Sequence, residues 1–433
     1  MSKVAFVREE MLPQQAPPAS SVGVIGWMRE NLFSGLVNSV VTVLSVGFIL
    51  YLATGLLGWA WTPTWASTSL TECRDVIRAL GHEGHGACWG VIRDRWVQLL
   101  FGFYPSDLYW RPILAFVLLG VALAPVLYAD KVPAKLVYFS MAYPFIMPWL
   151  LWGGTVWGPL VAAAGFAIGY VVYKVADATL GALAAIIAAV AAAVIWWLFL
   201  AFPVAGMLGS AMSFGLEPVA SRNFGGMTLS ITIGVVAIAC SLPIGIILAL
   251  GRQSDLLIVK ALCVGFIEFI RGVPLITLLF VASTLLNIFM PPGTNFDIIM
   301  RVIIMATLFA SAYMAEVIRG GLAALPKGQY EGADSLGLNY WQAQRLIIMP
   351  QALKISIPGI VGTFIGLFKD TTLVSVIGLL DPLGLSNAIR ADQSWNGIVW
   401  ELYGFIALLF FVCCFGMSRY SMYLERKLRT DHH

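Results

Sequence analysis

Residues Pro326-Lys327-Gly328-Gln329-Tyr330-Glu331-Gly332-Ala333-Asp334-Ser335-Leu336-Gly337, running on to Ile347-Ile348-Met349-Pro350, form a polar island about one short helix long. Apolar runs flank it on both sides. So many polar groups between two hydrophobic spans are poorly explained by a turn alone, and the island reads as a binding element. Pro326 suits a first helical turn and Gly337 a stop, with Leu336, Leu338 and Tyr340 as flanking apolar contacts. Such a helix is a knob for a partner's groove, with Gly332 and Ala333 permitting close approach and Glu331 offering a charge. An amphipathic helix resting on the bilayer surface is the plainer alternative.

Composition sets the surroundings. Of 433 residues, 59% are apolar and 11% charged, against about 25% charged in a soluble domain. Such a chain cannot cover a globular surface with polar groups. Long unbroken apolar runs, rather than ten-residue alternating segments, predict an all-α polytopic membrane protein and exclude an outer-membrane barrel. A net charge of +3 argues against a nucleic-acid partner and leaves the lipid bilayer as the large one.

About ten spans are expected, near 36–60, 112–129, 135–153, 157–174, 180–203, 226–250, 270–290, 298–318, 355–379 and 398–418. Residues 153–159 mark a tight reverse turn between the third and fourth. The first 35 residues carry Lys3, Arg8, Glu9, Glu10, Arg29 and Glu30 before any long apolar core. The first span is thus expected to insert as its own anchor, not as a cleaved signal. With the N-terminus inside, only Arg74, Arg78, Arg93, Arg95, Arg111, Arg222 and Arg390 fall outside, most of them in one long loop. The other counted cations, from Lys3 through Arg252, Lys327 and Lys354 to Arg429, fall inside. Both termini and the Glu331 island are therefore expected in the cytoplasm.

A composition shift divides the chain. Residues 1–35 read as a cytoplasmic tail, 36–224 as an accessory membrane region with an outer loop at 62–111, and 225–425 as the working core. Residues 319–354 are its cytoplasmic coupling loop, and 426–433 a second tail. In the outer loop, Cys73 and Cys88 are a candidate disulfide, which an oxidising compartment permits. With His82 and His85 they could instead form a Cys/His metal site, or stay unpaired; no metal is assigned.

There is no Gly-x4-Gly-Lys phosphate loop, and histidine is confined to the outer loop and the last two residues. No catalytic set can be assembled in the core, so the chain reads as a non-enzyme. Two Glu-x-x-Arg pairs, Glu268/Arg271 and Glu316/Arg319, share helix faces at i,i+3, and each can neutralise itself. They are interfacial anchors or, more sharply, a charged latch at an inner gate. Lys369 and Asp370, with Thr371 beside them, are expected near the middle of the ninth span. Intramembrane charges face a cavity or an opposite charge. They either line a pathway for a zwitterion or hold helices together.

The pattern Glu331-Gly332-Ala333-x3-Gly337-x9-Ile347-x-Met349-Pro350 resembles the EAA loop of bacterial ABC importer permeases, where Glu-Ala-Ala-x3-Gly-x9-Ile-x-Leu-Pro forms the coupling helix seated in the ATPase. Gly332 and Met349 depart from it but keep small or apolar character. Glu268–Leu275, Ala315–Gly321, Pro326–Gln329, Pro350–Leu353 and Lys369–Leu373 resemble the polar amino acid branch of that family, and the upstream spans resemble the enlarged permeases of general L-amino acid importers. The resemblance implies a five-helix type I importer permease core and import of L-amino acids, polar or broad in range, by alternating access. Gln329 and Pro350 join Glu331, Gly332, Ala333 and Gly337 as ATPase-coupling residues. ATP and Mg are implied on a partner ATPase dimer, with no cofactor in this chain. A second related permease or a copy of this one, and a periplasmic amino-acid-binding protein, are the other implied partners, at a bacterial inner membrane. Two rival classes are an ion-coupled secondary transporter and a membrane receptor or scaffold.

Overall fold

In the computed structural model, residues 23–81, 86–285, 288 and 297–428 are described. The chain divides into two compact units, Met1–Gly90 and Val91–His433.

In the first unit, α1 (Gly23–Asn31) precedes α2 (Leu36–Ala60), an apolar span with no buried residue. Its large side chains lie open over nearly its whole length, as a lipid-facing helix requires. Beyond it, a small fold is built on hydrogen bonds to Ala87 O from Thr62 Oγ1 and Thr64 Oγ1, both 2.6 Å. The Trp89 indole donates to Ala60 O at 2.7 Å and stacks on Trp65 at 5.6 Å. Helix α3 (Leu70–Ala79) is capped by Ser69, whose side chain accepts from Glu72 N. Cys73 and Cys88 are joined by a disulfide. His82 and His85 lie outside the described residues.

Among its described residues the second unit is mainly helical, with one short antiparallel pair, β1 (Gly154–Thr155) with β2 (Gly215–Leu216), and an isolated parallel bridge between Gly225 and Leu380. Helices α4 (Gly90–Phe101), α5 (Trp110–Leu127), α6 (Val137–Trp152), α7 (Trp157–Leu180), α8 (Ala182–Ile195) and α9 (Ala201–Ala211) lead to α10 (Gly226–Arg252). The turn between α6 and α7 sits at Gly153 and Gly154, both at positive φ, so the third and fourth spans are separate. Ala115, Leu119, Tyr143 and Leu151 share one apolar core with Leu229, Ile233, Leu275 and Val302. The composition change at 224/225 falls inside this unit. Within the expected outer loop, Arg95 pairs with Asp392 at 3.2 Å and Asp94 accepts from the Trp395 indole at 2.9 Å.

Among the described residues, nine helices are long and apolar enough to cross a membrane, or ten if one bent pair counts as a span. That pair corrects the straight seventh span expected at 270–290. Helix α11 (Leu257–Gly272) meets α12 (Leu275–Phe280), continued to Leu285, at an angle of 101°. Pro274 lacks an amide proton and forces Val273 into an extended conformation (φ −111°, ψ 133°), which ends the helix there. Part of 286–296 lies outside the described residues.

The path then runs through α13 (Ile298–Ala323), α14 (Lys327–Ser335), α15 (Tyr340–Ala343), a π-helical turn over Gln344–Ile348, and α16 (Met349–Asp370). A 3-10 turn at Thr371–Ile377, α17 (Pro382–Ala391) and α18 (Trp400–Leu428) complete it. The ninth span therefore begins at Tyr340 rather than 355, and its α-helical part stops at Asp370. Lys369 and Asp370 close α16, and the candidate span runs on through the 3-10 turn to Ile377.

Candidate functional site

Helix α14 is the polar island. Pro326, at φ −60° and ψ 139°, precedes its first residue. At the other end, Gly337 at φ +69° donates to Asp334 O and Leu338 N donates to Ala333 O. That is a Schellman closure, which glycine's tolerance of positive φ permits. Asn339 then caps α15 reciprocally with Gln342. Two helix ends are thus fixed within three residues, leaving a stiff corner.

The two small residues differ in what they face. Ala333 is 1% exposed and packs into its own chain, which corrects the expectation that it offers room to a partner. Gly332 is exposed, and a Cβ built on it meets nothing within 4 Å. Glu331 is exposed too, its carbonyl accepting from Ser335 Oγ at 2.8 Å. Leu336 and Trp341 expose over 70% of their surface beside it. The outward face of α14 is therefore Glu331, Gly332 and neighbouring apolar side chains.

The inward face is tied to the spans. Gln351 Nε2 donates to Gln329 Oε1 at 2.8 Å, joining α16 to α14. Pro350 opens α16 at its first turn, where its missing amide proton is not needed. Tyr330 packs on a core of Met314, Ala315, Ile318, Leu322, Ile348 and Ala352. Helices α13 and α16 approach closely at Gly321, where a Cβ would collide with Ser356 Oγ and lie 2.5 Å from Ala352 O. Any side chain there would push the two helices apart.

One turn above, five charges gather on three helices. Glu316 of α13 accepts from Arg252 Nη1 at 2.6 Å and pairs with Arg319 Nη2 at 3.0 Å and Arg271 Nη1 at 3.6 Å. Arg252, closing α10, also reaches Glu268 at 3.0 Å. The Arg271 guanidinium sits 5.7 Å from the Tyr313 ring centre. Glu316/Arg319 is thus a pair within its own helix, but Glu268 and Arg271 do not pair with each other. Each reaches across to another helix because α11 presents them toward α10 and α13. The Glu316 side chain is 16% exposed against 54% for Glu268, so Glu316 is the better-shielded centre. Arg252 is the member that sequence spacing missed. It stands at the end of a span, with Asp255 at i+3 already beyond the helix end, and only the tertiary packing of α10 on α13 shows its role.

Lys369, Asp370 and Thr371 lie elsewhere. Thr371 turns its hydroxyl back to Phe368 O at 2.7 Å. Asp370 and Thr371 border a small apolar cavity with Ile233, Leu275, Leu279, Val302 and Ala306. Lys369 is exposed. Among the described residues neither charge makes an ion pair, and they are not brought to the Glu316 cluster.

On the opposite end of the core, Asp381 is fully buried and caps α17, accepting from Leu383 N at 3.1 Å and Gly384 N at 2.9 Å. Burial pushes its carboxyl up to about 6 despite those donors. Asp392, in contrast, is held below the ordinary carboxylate value by the Ser394 amide and by Arg95.

A bundle of long apolar helices with a short polar helix packed on their ends defines a multi-pass helical membrane protein. Residues 241–430 match the family described as binding-protein-dependent transport system inner membrane component. The glutamate/glutamine/aspartate/asparagine transport system permease protein BztC of Rhodobacter capsulatus is 58% identical over 100% of both chains. The inner membrane amino-acid ABC transporter permease protein YhdY of Escherichia coli is 39% identical over 96% of each. A crystal structure of an amino acid ABC transporter with histidines shares 31% identity over 46% of this chain and 90% of that one, with a TM-score of 0.42. The chain belongs to the amino-acid ABC transporter permeases, multi-pass inner-membrane proteins that are not themselves enzymes.

Proposed function

We propose that this chain is the permease subunit of an ATP-driven importer that moves L-amino acids from periplasm to cytoplasm by alternating access. The observation that carries the reading is α14, whose outer face is open while its inner face shares a core with three spans. ATP and Mg act on a separate ATPase dimer that receives Glu331 and Gly332. Its closure moves α14, and Tyr330, Gln329 and the stiff Gly337 corner hand that motion to α13 and α16. Because Glu316 sits on α13 and is held from α10 and α11, the motion reaches three helices together.

A periplasmic binding protein delivers the substrate, and a second related permease or a copy of this chain completes the pore. Both termini, with α14, lie in the cytoplasm, in keeping with the clustering of Lys and Arg on that side. Polar amino acids, with acidic and amide side chains foremost, are the substrate class; the 58% identity to a glutamate/glutamine/aspartate/asparagine system supports it. Lys369, Asp370 and Thr371 are the candidate pathway residues. Reconstitution with the ATPase and binding protein tests the whole reading. Uptake of labelled glutamate and glutamine that requires ATP supports it, whereas uptake driven by an ion gradient without ATP refutes it.

A further inference from the structure

The start of α16 and the end of α18 frame a groove of about 930 Å3. Its polar lining is Gln351, Lys354, Arg419, Glu425 and Arg426, and its apolar lining includes Ile355, Pro358 and Met422. Three cations thus face one anion. Glu425 Oε1 accepts from Ser421 Oγ at 2.9 Å. Arg426 donates through Nε to Met422 O at 3.1 Å and lines the groove.

A second observation fixes the depth. Tyr128, Tyr420 and Tyr423 cluster at this level, with ring centres 5.8 Å, 6.3 Å and 6.1 Å apart. Tyr420 donates to Leu127 O at 2.6 Å. Such aromatic clusters mark the headgroup layer of a bilayer. A basic, half-apolar groove at headgroup depth has the chemistry of a site for an anionic lipid: the Arg419 and Arg426 guanidinium groups for the phosphate, and Ile355, Pro358 and Met422 for the upper acyl chain.

We propose that the groove between α16 and α18 binds an anionic phospholipid headgroup. The site touches the coupling element, because Gln351 both lines the groove and donates to Gln329 of α14. Occupancy would stiffen the wall against which α14 moves. The assignment to the inner leaflet rests on the orientation proposed above. Lipid binding itself does not, so it remains readable if transport fails.

The assembly is purified from native membranes, exchanged into nanodiscs of phosphatidylcholine with or without phosphatidylglycerol, and its retained lipid measured by native mass spectrometry. Wild type retains phosphatidylglycerol selectively, and Arg419→Gln/Arg426→Gln weakens that retention about 30-fold. The charge-preserving Arg419→Lys/Arg426→Lys variant restores most of it, which separates charge from misfolding. Equal retention of phosphatidylcholine, or undiminished retention by the Gln variant, overturns the proposal. So does equal thermal protection by inorganic phosphate acting through the same arginines, which would make free phosphate the ligand. Efficient cross-linking of Met422→Cys to another permease chain in native membranes would show protein in the groove and overturn it as well.

Discussion

The guanidinium of Arg252, at the last residue of α10, lies 2.6 Å from the carboxylate of Glu316, two turns before the end of α13. This contact joins the first helix of the matched region to the helix that leads into α14. Arg271 and Arg319 hold the other oxygen of the same carboxylate. A carboxylate shared among three guanidiniums has a well-defined position and resists being pulled from any one of them.

Replacing Glu316 with Gln leaves Arg271 and Arg319 without their anion, and Arg252 with Glu268 alone, in a partly shielded site. The cost lies between that of an exposed pair and a fully buried one, on the order of 1–3 kcal/mol. On the proposed cycle, the assembly still hydrolyses ATP, but amino acid delivered per ATP falls by on the order of tenfold, since about 1.4 kcal/mol of lost coupling is a factor of ten. Parallel measurement of hydrolysis and uptake in proteoliposomes checks this. A fall in both by the same factor would make the cluster purely structural.

The two partners of Arg252 are unequal. Double-mutant cycles of Arg252→Gln with Glu316→Gln and with Glu268→Gln, read by thermal unfolding, give a larger interaction energy for Glu316. Its side chain is 16% exposed against 54% for Glu268, so water screens it less. Equal energies would contradict the assignment of Glu316 as the centre.

How much of this was legible in the sequence depends on the range of the signal. The spans were readable because 20-residue apolar runs are local. The α14 boundaries were readable because Pro326 and Gly337 act through their own backbone. The break at Pro274 is masked by the largely apolar run that follows it from Leu275, which favours one continuous span despite the proline. Arg252 and the partners of Arg271 depend on how α10, α11 and α13 pack, and no spacing within one helix encodes that. Ala333 was misjudged because smallness serves a chain's own core as readily as a partner's surface.

Asp381 gives a pH signature. Its carboxyl titrates at about 6 when folded against an ordinary 3.8 when unfolded. The folded chain therefore binds the extra proton between those values, and the stability this adds is fully present below about pH 4. It is lost as pH rises through about 6, amounting to about 3 kcal/mol across the window. Asp381→Asn keeps the cap on α17, since Asn caps as well as Asp, and flattens the melting temperature over that range. An unchanged slope in the Asn variant would assign the dependence to another group.

The disulfide of the first unit closes a loop of 15 residues, worth about 3 kcal/mol by loop-closure arithmetic. Cys73→Ser/Cys88→Ser, or mild reduction of the wild type, should speed limited proteolysis within 62–90 several-fold while leaving the second unit's cleavage pattern as it was. An unaltered rate would show that the Ala87 hydrogen bonds and the Trp65/Trp89 stack suffice alone.

On the proposed function, the open face of α14 seats on an ATPase subunit. A photoreactive residue at Gly332, where a side chain meets nothing of this chain within 4 Å, tests it directly in intact membranes. One dominant adduct with the ATPase subunit is expected, with a yield that changes when ATP is supplied. Labelling of lipid alone, with the ATPase present and active in the same membranes, would show that α14 is a surface helix and refute the docking role.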